Sequence, residues 1–256
     1  MRRARPVRSS PASPRLIERS DDERVEVWTE AVGSLPPVYG ERWKEVRGHL
    51  YRAFDPFRSK LAAAIVRGWT GPLPQVGERW LYLGAASGTT ASHVADLVGP
   101  SGRVYAVEKS VRPFARLFDL SGRWPNLLPI LADARDPESF VDRVPPVDGV
   151  YADVAQPDQV EILTRAASWY LRGPGSAVLL ALKASSMGRE LSPSVHSERS
   201  ESALAERFDL APTVRLEPFH RAHYFLGGVL PGARTPPEKR PPTRRRPARY
   251  RGGPRR

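Results

Sequence analysis

The stretch Trp80–Val98, reading Trp-Leu-Tyr-Leu-Gly-Ala-Ala-Ser-Gly-Thr-Thr-Ala-Ser-His-Val-Ala-Asp-Leu-Val, constrains this chain more than any other. An apolar run ends in a loop holding Gly84 and Gly88. A helical pattern follows, with Val94, Leu97 and Val98 on one face and Thr89 or Thr90 placed to cap it. The order is strand, tight turn, helix start. Such a turn lets a ligand approach bare backbone, and the helix N-terminus offers unpaired N–H groups with a partial positive charge. A nucleotide-like ligand suits that environment. The same glycine spacing also serves purely structural strand-to-helix turns, so this stretch alone leaves both readings open.

From Gly77 onward strands and helices alternate. Candidate strands are 80–83, 104–107, 127–131, 149–152, 177–182, 213–216 and 224–230, with an amphipathic pattern over 158–171 carried by Val160, Leu163, Ala167 and Tyr170. This predicts an α/β fold built on a parallel, doubly wound sheet. Ligands of such sheets sit beyond the carboxyl ends of the strands. The strands there end at Gly84, Glu108, Asp133, Asp153 and Lys183. A carboxylate after the second strand can accept hydrogen bonds from ribose hydroxyls, in dinucleotide and adenosyl-cofactor sites alike. Any one of these acids reads as a helix cap; their succession points to a site.

Ahead of the sheet, residues 25–54 hold short alternating pieces such as Val25–Trp28 and His49–Phe54, separated by Pro36, Pro37 and Gly40, which predicts a small β-rich N-terminal domain. Asp55-Pro56 then reads as an N-cap followed by Pro at the first helical position, with Leu61, Ala64 and Ile65 continuing the helix and Lys60 near its start. The α/β domain is expected to span 55–231.

The net charge of +12 lies in the tails. Residues 1–24 hold seven Arg against four acidic residues, and 232–256 hold nine Arg and one Lys against one Glu, which leaves the central part neutral. Both tails are expected to lack a fixed fold. The C-terminal one, with Tyr250 among arginines, suits RNA or simple solubilisation. No apolar run is long enough to span a membrane, no secretory signal is read at the N-terminus, and cysteine is absent, so disulfide and thiolate chemistry are excluded. A soluble intracellular protein is expected.

Only five of the 40 basic residues are lysine: Lys44, Lys60, Lys109, Lys183 and Lys239. An amine can yield its proton near neutrality when its surroundings shift it, and guanidinium cannot, so a lysine in a functional motif of this Arg-rich chain carries information. His93 reads as packing or capping, with no second ligand at metal spacing. His220 and His223 likewise lack companions for a metal, so no metal is expected.

Several strings resemble the fibrillarin-like RNA 2′-O-methyltransferases in the family's order over about residues 39–230. They are Tyr39-Gly40-Glu41-Arg42, Asp55-Pro56-Phe57-Arg58-Ser59-Lys60-Leu61, Leu83-Gly84-Ala85-Ala86-Ser87-Gly88-Thr89-Thr90, Tyr105-Ala106-Val107-Glu108, Leu131-Ala132-Asp133-Ala134-Arg135, Asp153-Val154-Ala155-Gln156-Pro157 and Leu216-Glu217-Pro218-Phe219. The resemblance implies a Rossmann-like methyltransferase domain that binds S-adenosyl-L-methionine, behind a small β domain. Gly84, Ala85 and Ser87 would belong to the cofactor loop, Thr89 and Thr90 to its methionine end, Glu108 and Lys109 to the ribose, Asp133 and Ala134 to the adenine. Asp153, Val154, Ala155 and Gln156 would close the site. The family's Lys-Asp-Lys catalytic set falls on Lys60, Asp153 and Lys183.

These residue types suit the chemistry. A ribose 2′-hydroxyl is a poor nucleophile until its proton is being removed, so Lys183 is expected to accept that proton while Asp153 orients the lysines. The resemblance further implies a guide ribonucleoprotein: a C/D-box guide RNA selecting nucleotides of rRNA or tRNA, a kink-turn-binding protein and a coiled-coil scaffold protein. It also implies an archaeal-type, cytoplasmic setting, or a nucleolar one in a eukaryote. Two departures stand out. Lys109 replaces an aromatic residue, and Ala222 replaces an acid in Arg221-Ala222-His223, leaving Glu217 as a possible contributor at that edge. An inactive RNA-binding subunit and a nicotinamide-dependent dehydrogenase are the competing readings. The second lacks the Gly-x-Gly-x-x-Gly spacing and leaves the paired lysines unexplained.

Overall fold

The structure, a computed structural model, describes residues 8–10, 13–20 and 25–232, with side chains from 15–18 and 25–232. Five strands form an antiparallel N-terminal sheet: β1 (Arg8–Ser10), β2 (Ser13–Ser20), β3 (Val25–Glu30), β4 (Trp43–Val46) and β5 (His49–Ala53), in the order β1-β2-β3-β5-β4. Arg47 and Gly48, both at positive φ, make the two-residue turn between β4 and β5, the turn hand that matches strand twist.

This corrects the expectation that residues 1–24 lack a fold, since 8–10 and 13–20 are strands. The physical reason is pleating. Leu16 and Ile17 are neighbours in a polar segment, yet they point to opposite faces, Leu16 into the main core and Ile17 onto Trp28 and Tyr51. The rest of the basic N-terminal segment, and the C-terminal tail beyond Gly232, lie outside the described residues.

The second sheet is assembled from β6 (Arg79–Leu83), β7 (Arg103–Glu108), β8 (Leu127–Leu131), β9 (Gly149–Ala152), β10 (Ala177–Lys183), β11 (Asp209–Leu210), β12 (Val214–Arg215) and β13 (His223–Val229). Its order is β11-β13-β10-β9-β6-β7-β8, with β12 also on β13. Strands β6 to β10 are mutually parallel. Strand β13 runs antiparallel to β10, so the sheet is mixed rather than wholly parallel. An apolar run does not encode direction; the connection before β13 sets it. The order reverses between β6 and β9, which opens a crevice at their carboxyl ends.

Alternation splits each strand between two cores. Trp80, Tyr82, Val104 and Ala106 face the layer holding α1 (Lys60–Val66) and α2 (Thr89–Val98). Leu81, Leu83, Tyr105 and Val107 face the layer holding α4 (Gln159–Tyr170). Helices α3 (Val111–Ser121) and α5 (Pro193–Ala205) complete the set.

Two helix starts differ from expectation. Helix α1 begins at Lys60 with Ser59 as N-cap, because the Asp55 carboxylate closes a turn onto the Phe57 N–H at 2.8 Å instead of capping a helix. The cap of α2 is Gly88 at φ +88, and Thr89 and Thr90 are its first helical residues.

The N-terminal sheet is locked to α2 by one buried ionic hub. The Arg52 guanidinium, with no exposed surface, donates to Asp96 at 2.5 Å, Ser92 at 2.7 Å and Glu41 at 3.1 Å. Asp96 also accepts from the Thr29 hydroxyl, the Val32 N–H and the Trp124 indole. His93 lies between Thr29 and Tyr39 and stacks on Phe54 with ring centroids 4.0 Å apart. Burial, with the Arg52 charge, pushes the His93 imidazole well below its usual range and keeps it neutral.

Candidate active site

The loop after β6 is shaped by Gly84. It sits at φ +81, and a Cβ there would lie 2.6 Å from the Asp153 carbonyl oxygen, so only glycine lets the loop pass. The Gly84 and Ala85 N–H groups both reach the Val107 carbonyl and fold the loop over β7. Glu108, at the end of β7, is held from two sides by the Ala86 N–H at 2.9 Å and the Ser110 N–H at 2.7 Å. Its carboxylate is thereby fixed at the rim of a cleft of about 260 Å³ at the carboxyl ends of the strands.

That cleft gathers nine of the residues expected at the cofactor: Gly84, Glu108, Lys109, Asp133, Ala134, Asp153, Val154, Ala155 and Gln156. Ala85, Ser87, Thr89 and Thr90 stand outside its lining; Thr90 is buried and donates to Ser59 Oγ at 3.1 Å. Lys109 and Asp133 face each other across 3.5 Å, both partly exposed. Arg135, not singled out in the sequence, straps the cleft. Its guanidinium binds both oxygens of Asp158 at 2.7 Å and Gln156 Oε1 at 3.0 Å, joining the loop after β8 to the loop after β9. The hydrogen bonds from Arg135 hold the Asp158 carboxyl below the usual carboxylate range.

Beside the cleft, the start of α1 and the end of β9 bring Lys60 and Asp153 together, and Lys183 ends β10, the strand beside β9. Lys60 Nζ lies 2.8 Å from Asp153 Oδ1. The Tyr82 hydroxyl donates to Asp153 Oδ2 at 3.4 Å, and burial together with the Asp153 charge raises the phenol far above its ordinary range, so it stays a donor. Among the described residues, Lys183 Nζ has no hydrogen-bond or ion-pair partner. One lysine is neutralised and one is left available.

Two histidines weighed only as metal ligands in the sequence belong to this neighbourhood. His223 stands opposite Lys183 in the β10–β13 register. His220, whose ring centroid is 5.7 Å from that of His223, donates from Nε2 to the Pro56 carbonyl at 2.9 Å. Burial, aided by the Lys60 charge, lowers both imidazoles and keeps them neutral near pH 7. Only the strand register, which the sequence does not print, could have shown this. Ala222 takes φ +54, a conformation that costs a residue with a Cβ, and its N–H donates to Glu217. Glu217 accepts from that N–H and pairs with Arg215. Among the described residues no group of three His, Cys, Asp or Glu side chains is placed to hold a metal ion.

The arrangement provides a nucleoside-sized cleft with fixed carboxylates at a sheet switch point, beside the Lys60–Asp153 pair. The residues fit an adenosyl sulfonium cofactor. Glu108 offers acceptors for ribose hydroxyls, and the glycine floor admits close approach.

Comparison with known proteins agrees. The Fibrillarin family profile matches residues 16–231. A fibrillarin-like rRNA/tRNA 2′-O-methyltransferase of Aeropyrum pernix is 42% identical over 194 residues, covering 75% of this chain and 83% of the relative. That of Pyrobaculum islandicum is 46% identical over 192 residues, covering 73% and 80%. Among solved structures, the fibrillarin pre-rRNA processing protein of Methanococcus jannaschii superposes with a TM-score of 0.84 at 33% identity, covering 91% of this chain and all of that one. Aeropyrum pernix fibrillarin with natively bound S-adenosyl-L-methionine gives 0.78 at 38%, covering 90% and 100%. A fibrillarin/Nop5p complex gives 0.72 at 38%, covering 80% and 94%. With the profile spanning most of the chain and relatives above 40% identity over about three quarters of it, the chain belongs to the Fibrillarin family.

Proposed function

We propose that Lys60, Asp153 and Lys183 carry out methyl transfer from S-adenosyl-L-methionine to a ribose 2′-hydroxyl of rRNA or tRNA. The chain is an S-adenosylmethionine-dependent RNA 2′-O-methyltransferase, as its family membership indicates. The bound cofactor supplies an electrophilic methyl group. The residues lining the cleft from Gly84 to Gln156 would hold it, Glu108 taking the ribose and Asp133 with Ala134 the adenine.

In its neutral form Lys183 Nζ would accept the proton of the 2′-hydroxyl as that oxygen takes the methyl group the cofactor would supply. Asp153 holds Lys60, whose charge lies next to the developing oxyanion and favours it. The observation that carries this reading is the asymmetry of the two lysines, one paired at 2.8 Å and one unpaired at the end of β10. Position decides the role: Lys60 Nζ is engaged by Asp153, which leaves Lys183 Nζ for the 2′-hydroxyl.

A scaffold protein of the Nop5p kind is the expected docking partner, because a solved neighbour is the fibrillarin/Nop5p complex. A C/D-box guide RNA and a kink-turn-binding protein complete the proposed particle, in an archaeal-type cytoplasm. The neutral central part of the chain supports this, since a catalyst with little net charge gains RNA affinity from its assembly. The test is Lys183→Arg, which keeps the charge and removes the base. With saturating RNA its transfer rate should fall by roughly 10²–10⁴-fold while cofactor affinity holds. An unchanged rate would refute the assignment.

A further inference from the structure

Lys183 is the last residue of β10, and β10 outruns its parallel neighbour. The β9–β10 register ends at Ala152 opposite Leu180, so residues 181–183 have no strand beside them on that edge. On the other edge β13 continues to His223 opposite Lys183. A bare strand edge inside a protein leaves N–H and C=O groups that need partners. Gln159 meets both needs. Its Oε1 accepts from the Lys183 N–H at 2.8 Å, and its Nε2 donates to the Lys183 carbonyl at 3.1 Å. The side-chain amide thus stands in for the missing strand peptide.

Two further features give this clamp a direction. Gln159 is fully buried, so water cannot replace it. It is also the first residue of α4, directly after the loop whose residues Asp153–Gln156 line the cofactor cleft. The element that places the methyl donor therefore also fixes the main chain of the proton acceptor.

We infer that Gln159 is a positioning residue for methyl transfer: it sets the main chain of Lys183 and ties it to the cofactor loop. This rests on the assignment of Lys183 as the base. A displacement of about 1 Å at a reacting group is enough to cost on the order of 10²-fold in rate. Methionine at 159 fills similar space with neither hydrogen bond. Glutamate keeps the acceptor for the Lys183 N–H and, when ionised, sets a second acceptor against the Lys183 carbonyl.

The test uses the full chain assembled with its guide RNA and partner proteins, labelled S-adenosylmethionine and target RNA. For Gln159→Met and Gln159→Glu, kcat should fall by about 10²-fold. KM for RNA and the cofactor Kd should stay close to wild type, and the Lys183 amide should lose hydrogen-exchange protection while the middle of β10 keeps it. A wild-type kcat in a variant that binds cofactor normally would overturn the inference, as would an unchanged Lys183 amide. Should Gln159→Met fail to fold, Gln159→Glu decides by the same readouts. Failure of the wild-type assembly to methylate RNA would count against the function itself. The exchange measurement needs no turnover and still judges the clamp.

Discussion

Two ionic clusters in this molecule, one built on arginine and one on lysine, serve opposite ends. At the domain junction, Arg52 and Asp96 have no exposed side-chain surface, and each is surrounded by further partners in Glu41, Ser92, Thr29, Val32 and Trp124. At the cleft, Lys60 and Asp153 keep 25% and 14% of their side chains exposed, and Lys183 has no charged partner among the described residues. The closed cluster fixes the N-terminal sheet on α2, the helix that opens directly after the cofactor loop. The open cluster leaves Lys183 Nζ without a partner among the described residues. A satisfied network gives rigidity; an incomplete one gives chemistry.

The comparison breaks if the closed cluster tolerates the loss of a member. Arg52→Met leaves Asp96 buried without its cation and should cost roughly 3–5 kcal/mol of stability, read by denaturant unfolding. Molecules that remain folded should methylate at the wild-type rate. A loss below about 1 kcal/mol would show that the hub is not what joins the two sheets.

A second effect concerns His93 inside that hub. Its folded-state pKa is depressed well below the unfolded value of about 6.5. As pH falls below about 6.5 the unfolded chain takes up a proton that the native chain refuses. Stability should therefore decline towards acid, by up to about 1.4 kcal/mol per pH unit from this residue. Unfolding curves of wild type and His93→Gln between pH 7 and 5, a range set around that about 6.5 reference, measure the difference. A slope equal in both would remove His93 from the account.

The smallest change in stability belongs to the open cluster. Asp153→Asn releases Lys60 at a partly exposed site and should alter stability by about 1 kcal/mol or less. Its effect on transfer should be large, because the two lysines lose the carboxylate that distinguishes them. A variant that unfolds readily yet transfers methyl groups normally would reverse the comparison.

Much of the sheet was legible in the sequence because burial on two faces leaves strong apolar runs. Leu127–Leu131 and Gly149–Ala152 occupy the predicted residues, and β6, β7 and β10 differ only at their ends. Strand β2 was hidden because Leu16 and Ile17 interrupt an otherwise polar segment for only two positions. Helix α5, rich in Ser, Glu and Arg, carries too few apolar residues to show a helical period. The Asp55-Pro56 pair has the composition of a helix start and serves a turn.

The site divides in the same way. Glycine at 84 and the acids at the strand ends were visible as residue types at element ends. The pairing of Lys60 with Asp153 came from motif resemblance, since residues so distant in sequence carry no spacing signal. His223 and Gln159 depend on which residue of β10 meets which neighbour, and that register emerges only when the sheet is assembled.

The central claim is that the unpaired lysine at the end of β10 deprotonates a ribose hydroxyl. Its most direct test is transfer of labelled methyl from S-adenosylmethionine to RNA by the assembled wild-type and Lys183→Arg proteins, with the product mapped by nucleotide and atom. The expected result is label on a ribose 2′-oxygen for wild type and almost none for the variant. Label on a base, or equal labelling by both proteins, would contradict it.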